Sequence, residues 1–156
     1  MVKTATPADA GTLATLINDA FIVEAFFKIG DRTSVEEIAR LMSEGGEFLV
    51  LGDELDDQPF AGCVFLQVSG DRAYFGMLSI DPAKQRRGLG ERLIDAVEAR
   101  ARERGCRYMD IHIVNLREEL PPYYRRRGYV ESGTAPFSDP ERATRPCSFI
   151  VMTKVL

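Results

Sequence analysis

The stretch from Tyr74 to Gly105 restricts the fold more than any other part of the chain. Tyr74-Phe75-Gly76-Met77-Leu78-Ser79-Ile80 is an unbroken, mostly apolar run, the pattern of a strand covered on both faces. It leads through Asp81-Pro82-Ala83-Lys84-Gln85-Arg86-Arg87-Gly88-Leu89-Gly90 into a helical pattern in which Leu89, Leu93, Ile94, Val97 and Ala101 share one face. Glu91 and Asp95 stand early in that helix, Arg100, Arg102 and Arg104 late, and Gly105 offers a C-cap. A strand, a glycine loop and a helix in this order aim backbone N–H groups at an anion. Gly88 and Gly90 present no Cβ to block its approach, and the helix dipole favours negative charge at the helix start. Two other phosphate loops are excluded. Gly90 is followed by Glu91-Arg92 and not by the Lys-Ser/Thr of a Walker loop, and Leu93 stands where a dinucleotide fingerprint needs a third small residue.

Around this unit the chain alternates strand and helix signals. Residues 2–5 suit a short strand, and Thr6-Pro7-Ala8-Asp9 caps a helix whose stripe is Ala10, Leu13, Ala14, Ile17 and Phe21. Ser34 and Glu37 open a second helix, closed by Gly45-Gly46. Residues 48–51 and 60–68 read as a hairpin about the polar turn 53–59, and Gly70-Asp71-Arg72 turns into the apolar strand 73–80. After the central helix, residues 107–114 form a strand with Met109, Ile111 and Ile113 on one face and Asp110 and His112 on the other. A right-handed crossover makes strands 73–80 and 107–114 parallel neighbours. Pro121 and Pro122 start a short helix that stops at Gly128. A strand at 129–132, a long polar loop at 133–146 and a last strand at 147–155 complete the chain.

A net charge of −4 argues against nucleic acid or an anionic membrane as partner, so the local arginines at Arg86-Arg87 and Arg125 to Arg127 point to a small anionic ligand. No apolar run has the length of a membrane span and no signal peptide is evident, which makes the cytoplasm the expected location. Cys63, Cys106 and Cys147, without metal-ligand spacing, read as small buried hydrophobes.

The pattern Q-x-x-G-x-G at Gln85, Gly88 and Gly90, preceded by Ile80-x-Pro82, resembles the acetyl-CoA signature of the GNAT superfamily of N-acetyltransferases. Tyr-x-x-x-Gly-Tyr at Tyr124, Gly128 and Tyr129 resembles that family's late motif, and the order βααβββαβαββ is similar to its fold over nearly the whole chain. The resemblance implies one α/β domain over residues 1–156. Its central mixed seven-stranded sheet is splayed between two parallel strands and carries about four helices.

The resemblance further implies acetyl-CoA as co-substrate and no metal. The pyrophosphate is expected on the loop at Gln85, Arg86, Arg87, Gly88, Leu89, Gly90 and Glu91, and the pantetheine amides on the backbones of Leu78 and Ile80. A main-chain N–H near Leu78 would face the thioester carbonyl. Asn115 matches the family's asparagine after the fifth strand, although its spacing to Tyr124 is wider than usual. Tyr124 is expected to protonate the leaving thiol, helped by arginines that lower its pKa, with Tyr123 as the rival beside the coenzyme.

A base is needed as well, since deprotonating a lysine-like amine at pH 7 costs about 4.6 kcal/mol. The family often has a carboxylate near the start of the central strand, where Tyr74 stands here. His112 reads either as a hydrogen-bonded, partly buried histidine or as the base, with Glu24, Glu118 and Glu119 as further candidates. The run Phe21 to Phe27 reads either as core or as a wall of the acceptor pocket, the latter assigning Glu24, Phe26 and Phe27 to the substrate, and the resemblance implies a pocket built from the segment Phe21 to Arg32 and the loop Gly133 to Pro146. Arg117, Arg142 and Arg145 suit an acidic acceptor, the coenzyme's 3′-phosphate or plain solvation. The implied function is acetyl transfer to a primary amine of a small molecule or peptide in a ternary complex. The alternative is a non-catalytic acyl-CoA-binding sensor of the same fold, and a homodimer is expected by analogy alone.

Overall fold

The computed structural model describes residues 2–52, 60–85 and 87–156. Seven strands, β1 (Val2–Thr4), β2 (Glu47–Gly52), β3 (Phe60–Ser69), β4 (Arg72–Ile80), β5 (Tyr108–Val114), β6 (Val130–Pro136) and β7 (Ser148–Val155), form one sheet in the order β1-β2-β3-β4-β5-β7-β6. The helices are α1 (Ala10–Ala20), α2 (Val35–Ser43), α3 (Leu89–Glu103) and α4 (Leu120–Arg126). All strand pairs are antiparallel except β4 with β5, as the crossover through α3 requires. The turn expected at 53–59 lies outside the described residues. Among the described residues no helix is long and apolar enough to cross a membrane.

Two apolar layers assign faces to the sheet. Leu93, Ile94 and Val97 of α3 and Tyr124 of α4 pack with Phe75, Met109, Ile111 and Ile113 on one face. Leu13 and Ile17 of α1 and Ile38 of α2 pack with Phe48, Val50, Phe65 and Met77 on the other. The caps expected at the helix starts form. The Thr6 N–H donates to Asp9 Oδ2 at 2.9 Å, and Ser34 Oγ accepts from the Glu37 N–H at 3.1 Å.

Two departures from regular pairing matter for function. In β3 and β4, Phe65 opposes Gly76 while Cys63 opposes Ser79, so β4 carries one extra residue between them. Met77 stands in this bulge at φ 52, a left-handed conformation unfavourable for a non-glycine residue. The bulge reverses the alternation. Ala73 and Phe75 face α3 before it, Met77 faces α1 within it, and Leu78 and Ile80 lie against the α3 layer after it. Ser79 Oγ donates to the Met77 carbonyl at 2.9 Å, which gives that displaced group a partner.

The second departure is between β4 and β5. Their ladder runs only from Arg72↔Tyr108 through Ala73↔Met109 to Tyr74↔Asp110. Beyond that point β4 stays paired with β3 as far as Gly62↔Ile80, and β5 stays paired with β7 as far as Val114↔Phe149, so the two parallel strands part. The joined end is held by a two-point contact, with Arg72 Nε and Nη2 donating to Asp110 at 2.9 and 2.7 Å.

The chain's last third differs from expectation in its two final strands. β6 runs on to Pro136, so the polar loop is shorter than residues 133–146. β6 is the outer strand beside β7, which is where a strand tolerates an exposed, polar sequence and a proline. Of the cysteines, Cys63 and Cys106 are buried as expected but Cys147 is half-exposed, because it precedes β7 instead of belonging to it.

Candidate active site

Where β4 and β5 part, a cavity of about 760 Å³ passes between them, within the range of small-ligand pockets. Phe75, Met77, Leu78 and Ile80 line one side and Ile111, His112 and Ile113 the other. Side-chain alternation divides the cavity into two mouths, one on the α3 and α4 face and one on the α1 face.

The α3-side mouth is built on the glycine loop. Asp81 follows β4, its Oδ1 accepting from the Ala83 N–H at 3.0 Å, and a single 3-10 turn over Pro82–Lys84 redirects the chain toward α3. Gly88 is the N-cap of α3 at φ 72, a conformation that costs other residues about 1–2 kcal/mol. Among the described residues beyond the local backbone, a Cβ on Gly88 or on Gly90 would meet no atom within 4 Å, so the space over this helix start is open. Gln85, Gly88, Leu89, Gly90 and Glu91 all line the cavity. Arg87 is exposed and does not line it, and Arg86 lies outside the described residues.

α4 closes this mouth with Leu120, Tyr123 and Tyr124. Tyr124 is buried, its ring 6.1 Å from Phe75, 5.7 Å from Tyr129 and 5.1 Å from Tyr123. Burial pushes its hydroxyl well above the ordinary tyrosine range and outweighs Arg117 and Arg127, which act in the opposite direction. The lowering expected from the neighbouring arginines is therefore overturned. Tyr124 is a neutral hydrogen-bond donor at every physiological pH. The Tyr123 hydroxyl is raised as well, by burial and then by Glu91.

The α1-side mouth is built from the 3-10 turn Phe21–Phe26, the start of β4, the middle of β5 and the loop before β7. The His112 ring lies 5.2 Å from Tyr74 and 5.3 Å from Phe149, but the residue is exposed and has no hydrogen-bond partner among the described residues, so the hydrogen-bonded, partly buried histidine expected from the sequence is not what the structure shows. Desolvation holds its pKa below the ordinary histidine range, with Asp110 opposing the shift, so the imidazole is neutral at pH 7. The Tyr74 hydroxyl is raised by burial, and its ring folds back along the strand. A Cβ on Gly76 would lie 2.6 Å from the Tyr74 hydroxyl oxygen.

Several expected contacts fall elsewhere. Phe26 and Phe27 do not line the cavity. Lys28 bridges to Ala143, the Ile29 N–H donates to Arg142 O at 3.0 Å and the Thr144 N–H donates to Phe27 O at 2.8 Å, which docks this segment on the loop before β7. That docking buries Phe27 beside Phe137 and turns Phe26 outward beneath Arg145. Of the three expected residues Glu24 does line the cavity, and Phe21, Val23, Lys28 and Arg32 of the same segment line it with Glu24.

Asn115 is likewise absent from the lining. Its Oδ1 accepts from the Ser148 N–H at 3.0 Å and its N–H donates to Ser148 O at 2.9 Å, so it ties β5 to β7. Glu118 and Glu119 are exposed and outside the lining. Arg142 donates to Asp31 O at 2.8 Å, a structural contact, whereas Arg117 lines the cavity.

Comparisons with known proteins agree with this geometry. Residues 14–129 match the Acetyltransferase (GNAT) family. A 61-residue stretch, 39% of the chain, is 41% identical to a mycothiol acetyltransferase of Clavibacter sepedonicus, of whose length it spans 19%. The ribosomal-protein-alanine N-acetyltransferase of Brucella melitensis superposes with a TM-score of 0.75 at 21% identity, over 100% of this chain and 99% of that one. The ribosomal-protein-S18-alanine N-acetyltransferase of Escherichia coli gives 0.77 at 18% identity over 99% and 92%. A structure of yncA from Salmonella typhimurium with its cofactor acetyl-CoA gives 0.74 at 18% identity over 100% and 93%. Likeness at these identities speaks for the fold. The family match adds to it, since it covers most of the chain and includes the splayed strands, the glycine loop and Tyr124. The chain belongs to the GNAT family of acetyltransferases.

Proposed function

We propose that this protein transfers the acetyl group of acetyl-CoA to a primary amine, with both substrates held in the cavity between β4 and β5. The observation that carries the reading is that the open helix start at Gly88 and the parted strands border one continuous cavity. A phosphate end and an extended amide chain need those two features side by side. When bound, acetyl-CoA supplies a thioester whose carbonyl carbon the acceptor nitrogen attacks as the carbon–sulfur bond breaks.

The chain's own groups divide the remaining work. The amides of Gln85 and of Gly88 to Glu91 hold the pyrophosphate. The β4 backbone at Leu78 and Ile80 pairs with the pantetheine arm in place of a strand partner, and a main-chain N–H near Leu78, beside the Met77 bulge, stabilises the developing oxyanion. His112, neutral and on the α1 side, accepts the proton that leaves the amine, directly or through water. Tyr124, on the α3 side, donates a hydrogen bond and then its proton to the departing sulfur, and is reprotonated from solvent. Its high pKa does not disqualify it, because burial also penalises a thiolate formed in the same apolar space. Alignment of amine and thioester supplies much of the acceleration.

Isothermal titration with acetyl-CoA, followed by thiol release on a panel of amines, tests this. Binding with thiol release is expected. Binding without release on a broad panel would favour the sensor reading, and failure to bind would remove both.

A further inference from the structure

Acetyl transfer needs an anion site for the coenzyme and a proton acceptor, and the α3-side mouth together with His112 meets both needs. The cations of the α1-side mouth are left over. Lys28 is 8% exposed and lines the cavity, yet its nearest carboxylate oxygen among the described residues, Glu24 Oε1, is 3.8 Å away. That is an ion pair beyond hydrogen-bond reach, so among the described residues the ammonium has no close acceptor, and its residue borders the cavity. Glu24 makes its short contact elsewhere, accepting from Arg117 Nη1 at 3.0 Å. Arg32, the next cation along, lies over the Phe21 ring at 5.3 Å and acts electrostatically on the Tyr74 hydroxyl, which places it beside the ring that packs on His112.

A lysine mostly removed from bulk water and short of close acceptors is held unfavourably, and a ligand that brings an anion to the cavity improves its surroundings. Desolvation lowers the Lys28 pKa against the pull of Glu24 and Asp139, as expected of a cation with too little counter-charge, and Arg32 and Arg142 add to the lowering. The chain as a whole carries −4, so positive charge at this mouth is not a general property of the surface.

We propose that Lys28 and Arg32 form an anion subsite on the acceptor side, and that the acceptor is a small amine bearing a carboxylate, an amino-acid-like compound. This rests on the acetyltransferase reading of the same cavity. The amine then points toward His112 while the carboxylate lies against Lys28 and Arg32, so a single small molecule spans both groups.

The test uses the protein with saturating acetyl-CoA and follows thiol release. The probes are free amino acids, their α-carboxamides, glutamate α-amide, which keeps only a side-chain carboxylate, and spermidine, which has none. Wild type should favour acids over matched carboxamides by at least about tenfold in kcat/KM, and glutamate α-amide tells an α-carboxylate from a side-chain one. Lys28→Met should raise KM for the acids about tenfold, the loss falling on KM and not on kcat. Arg32→Glu should reverse the preference toward carboxamides and spermidine. Arg32 is half-exposed, so this variant carries the test if Lys28→Met does not fold. Carboxamides or spermidine matching the acids in wild type would overturn the proposal, as would thiol release from no carboxylate-bearing amine while titration shows acetyl-CoA bound. Failure of acetyl-CoA to bind at all would instead remove the acetyltransferase reading beneath it.

Discussion

The Tyr129 hydroxyl donates a 2.8 Å hydrogen bond to the Glu98 carboxylate, joining the end of the late tyrosine motif to the middle of α3. Glu98 is 3% exposed and also accepts from Lys154 Nζ at 2.8 Å, so α3, β7 and the start of β6 meet at one buried carboxylate. Gly88 begins the same helix, and Tyr129 packs on Tyr124. A contact remote from the cavity therefore braces both the anion loop and the tyrosine assigned to the leaving group. Tyr129→Phe keeps the ring but leaves one carboxylate oxygen without its donor. Loss of a hydrogen bond to a charged group should destabilise the fold by about 1.5–3 kcal/mol in urea denaturation. Acetyl-CoA binding should change less than stability does, because the loop amides are untouched.

Gly88→Asp tests the anion loop directly. The space over the Cβ is open, so a folded protein is expected, less stable by about 1–2 kcal/mol from the left-handed backbone. The new carboxylate would sit at the loop proposed to hold the pyrophosphate. Acetyl-CoA affinity should fall by more than about tenfold, or about 1.4 kcal/mol, in isothermal titration.

Tyr124→Phe separates binding from chemistry. The ring that packs on Phe75 and Tyr129 is retained, so acetyl-CoA affinity should hold within about twofold. Turnover should fall by about 10²–10⁴-fold, the usual range for a lost proton donor. Thiol-release kinetics on one amine read both parameters, and unchanged turnover would remove Tyr124 from the mechanism.

How much of this could be read from the sequence follows from how local each signal is. Gln85, Gly88 and Gly90 sit within one turn of chain, and their geometry is determined by the strand before them and the helix after. Tyr124, Gly128 and Tyr129 are legible for the same reason. The Met77 bulge left no trace, because nothing in an apolar run marks the one residue that takes a positive φ. Its nearest hint is Ser79, a polar residue inside the run whose hydroxyl pairs with the Met77 carbonyl. The choice between core and wall within Phe21 to Phe27 stayed open for a related reason: Phe27 is core, Phe26 is exposed and Glu24 lines the cavity. Which side of a 3-10 turn faces the cavity is decided by where the turn docks, here on Ala143 and Arg142, more than a hundred residues later. The end of β6 was missed because an exposed outer strand lacks apolar alternation.

Arg72 and Asp110 close the paired end of β4 and β5, and that contact has a pH signature. The Arg72 guanidinium holds the Asp110 carboxyl below the usual aspartate range, with Thr153 donating to the same group at 2.6 Å. A depressed carboxylate contributes stability that is present above its unfolded pKa of about 3.9 and is lost as pH falls through the folded value. The stability difference between wild type and Arg72→Gln should thus be level from about pH 5 to 8 and shrink below about pH 4. The Arg72 side chain is 48% exposed, so the plateau should be only about 1 kcal/mol, and smaller in high salt.

His112 gives the last prediction, on activity. Its pKa is depressed by desolvation, so the base form persists below the ordinary histidine midpoint near about 6.5. Lowering the pH through the depressed value protonates the imidazole and removes the proton acceptor, so kcat measured with saturating substrates should fall on that acid limb. Raising the pH deprotonates more of the acceptor amine, an effect of the substrate that every variant shares. His112→Gln should therefore lose the acid limb and keep the alkaline rise, at a turnover about 10²-fold lower. Gly76→Ala makes an independent check, since its Cβ displaces the Tyr74 ring that packs on His112. His112 is already an exposed residue of β5, so moving the ring removes only part of its desolvation; its pKa rises toward the ordinary value and the acid limb moves to higher pH. An acid limb that stays in place in both variants would assign the proton to another group.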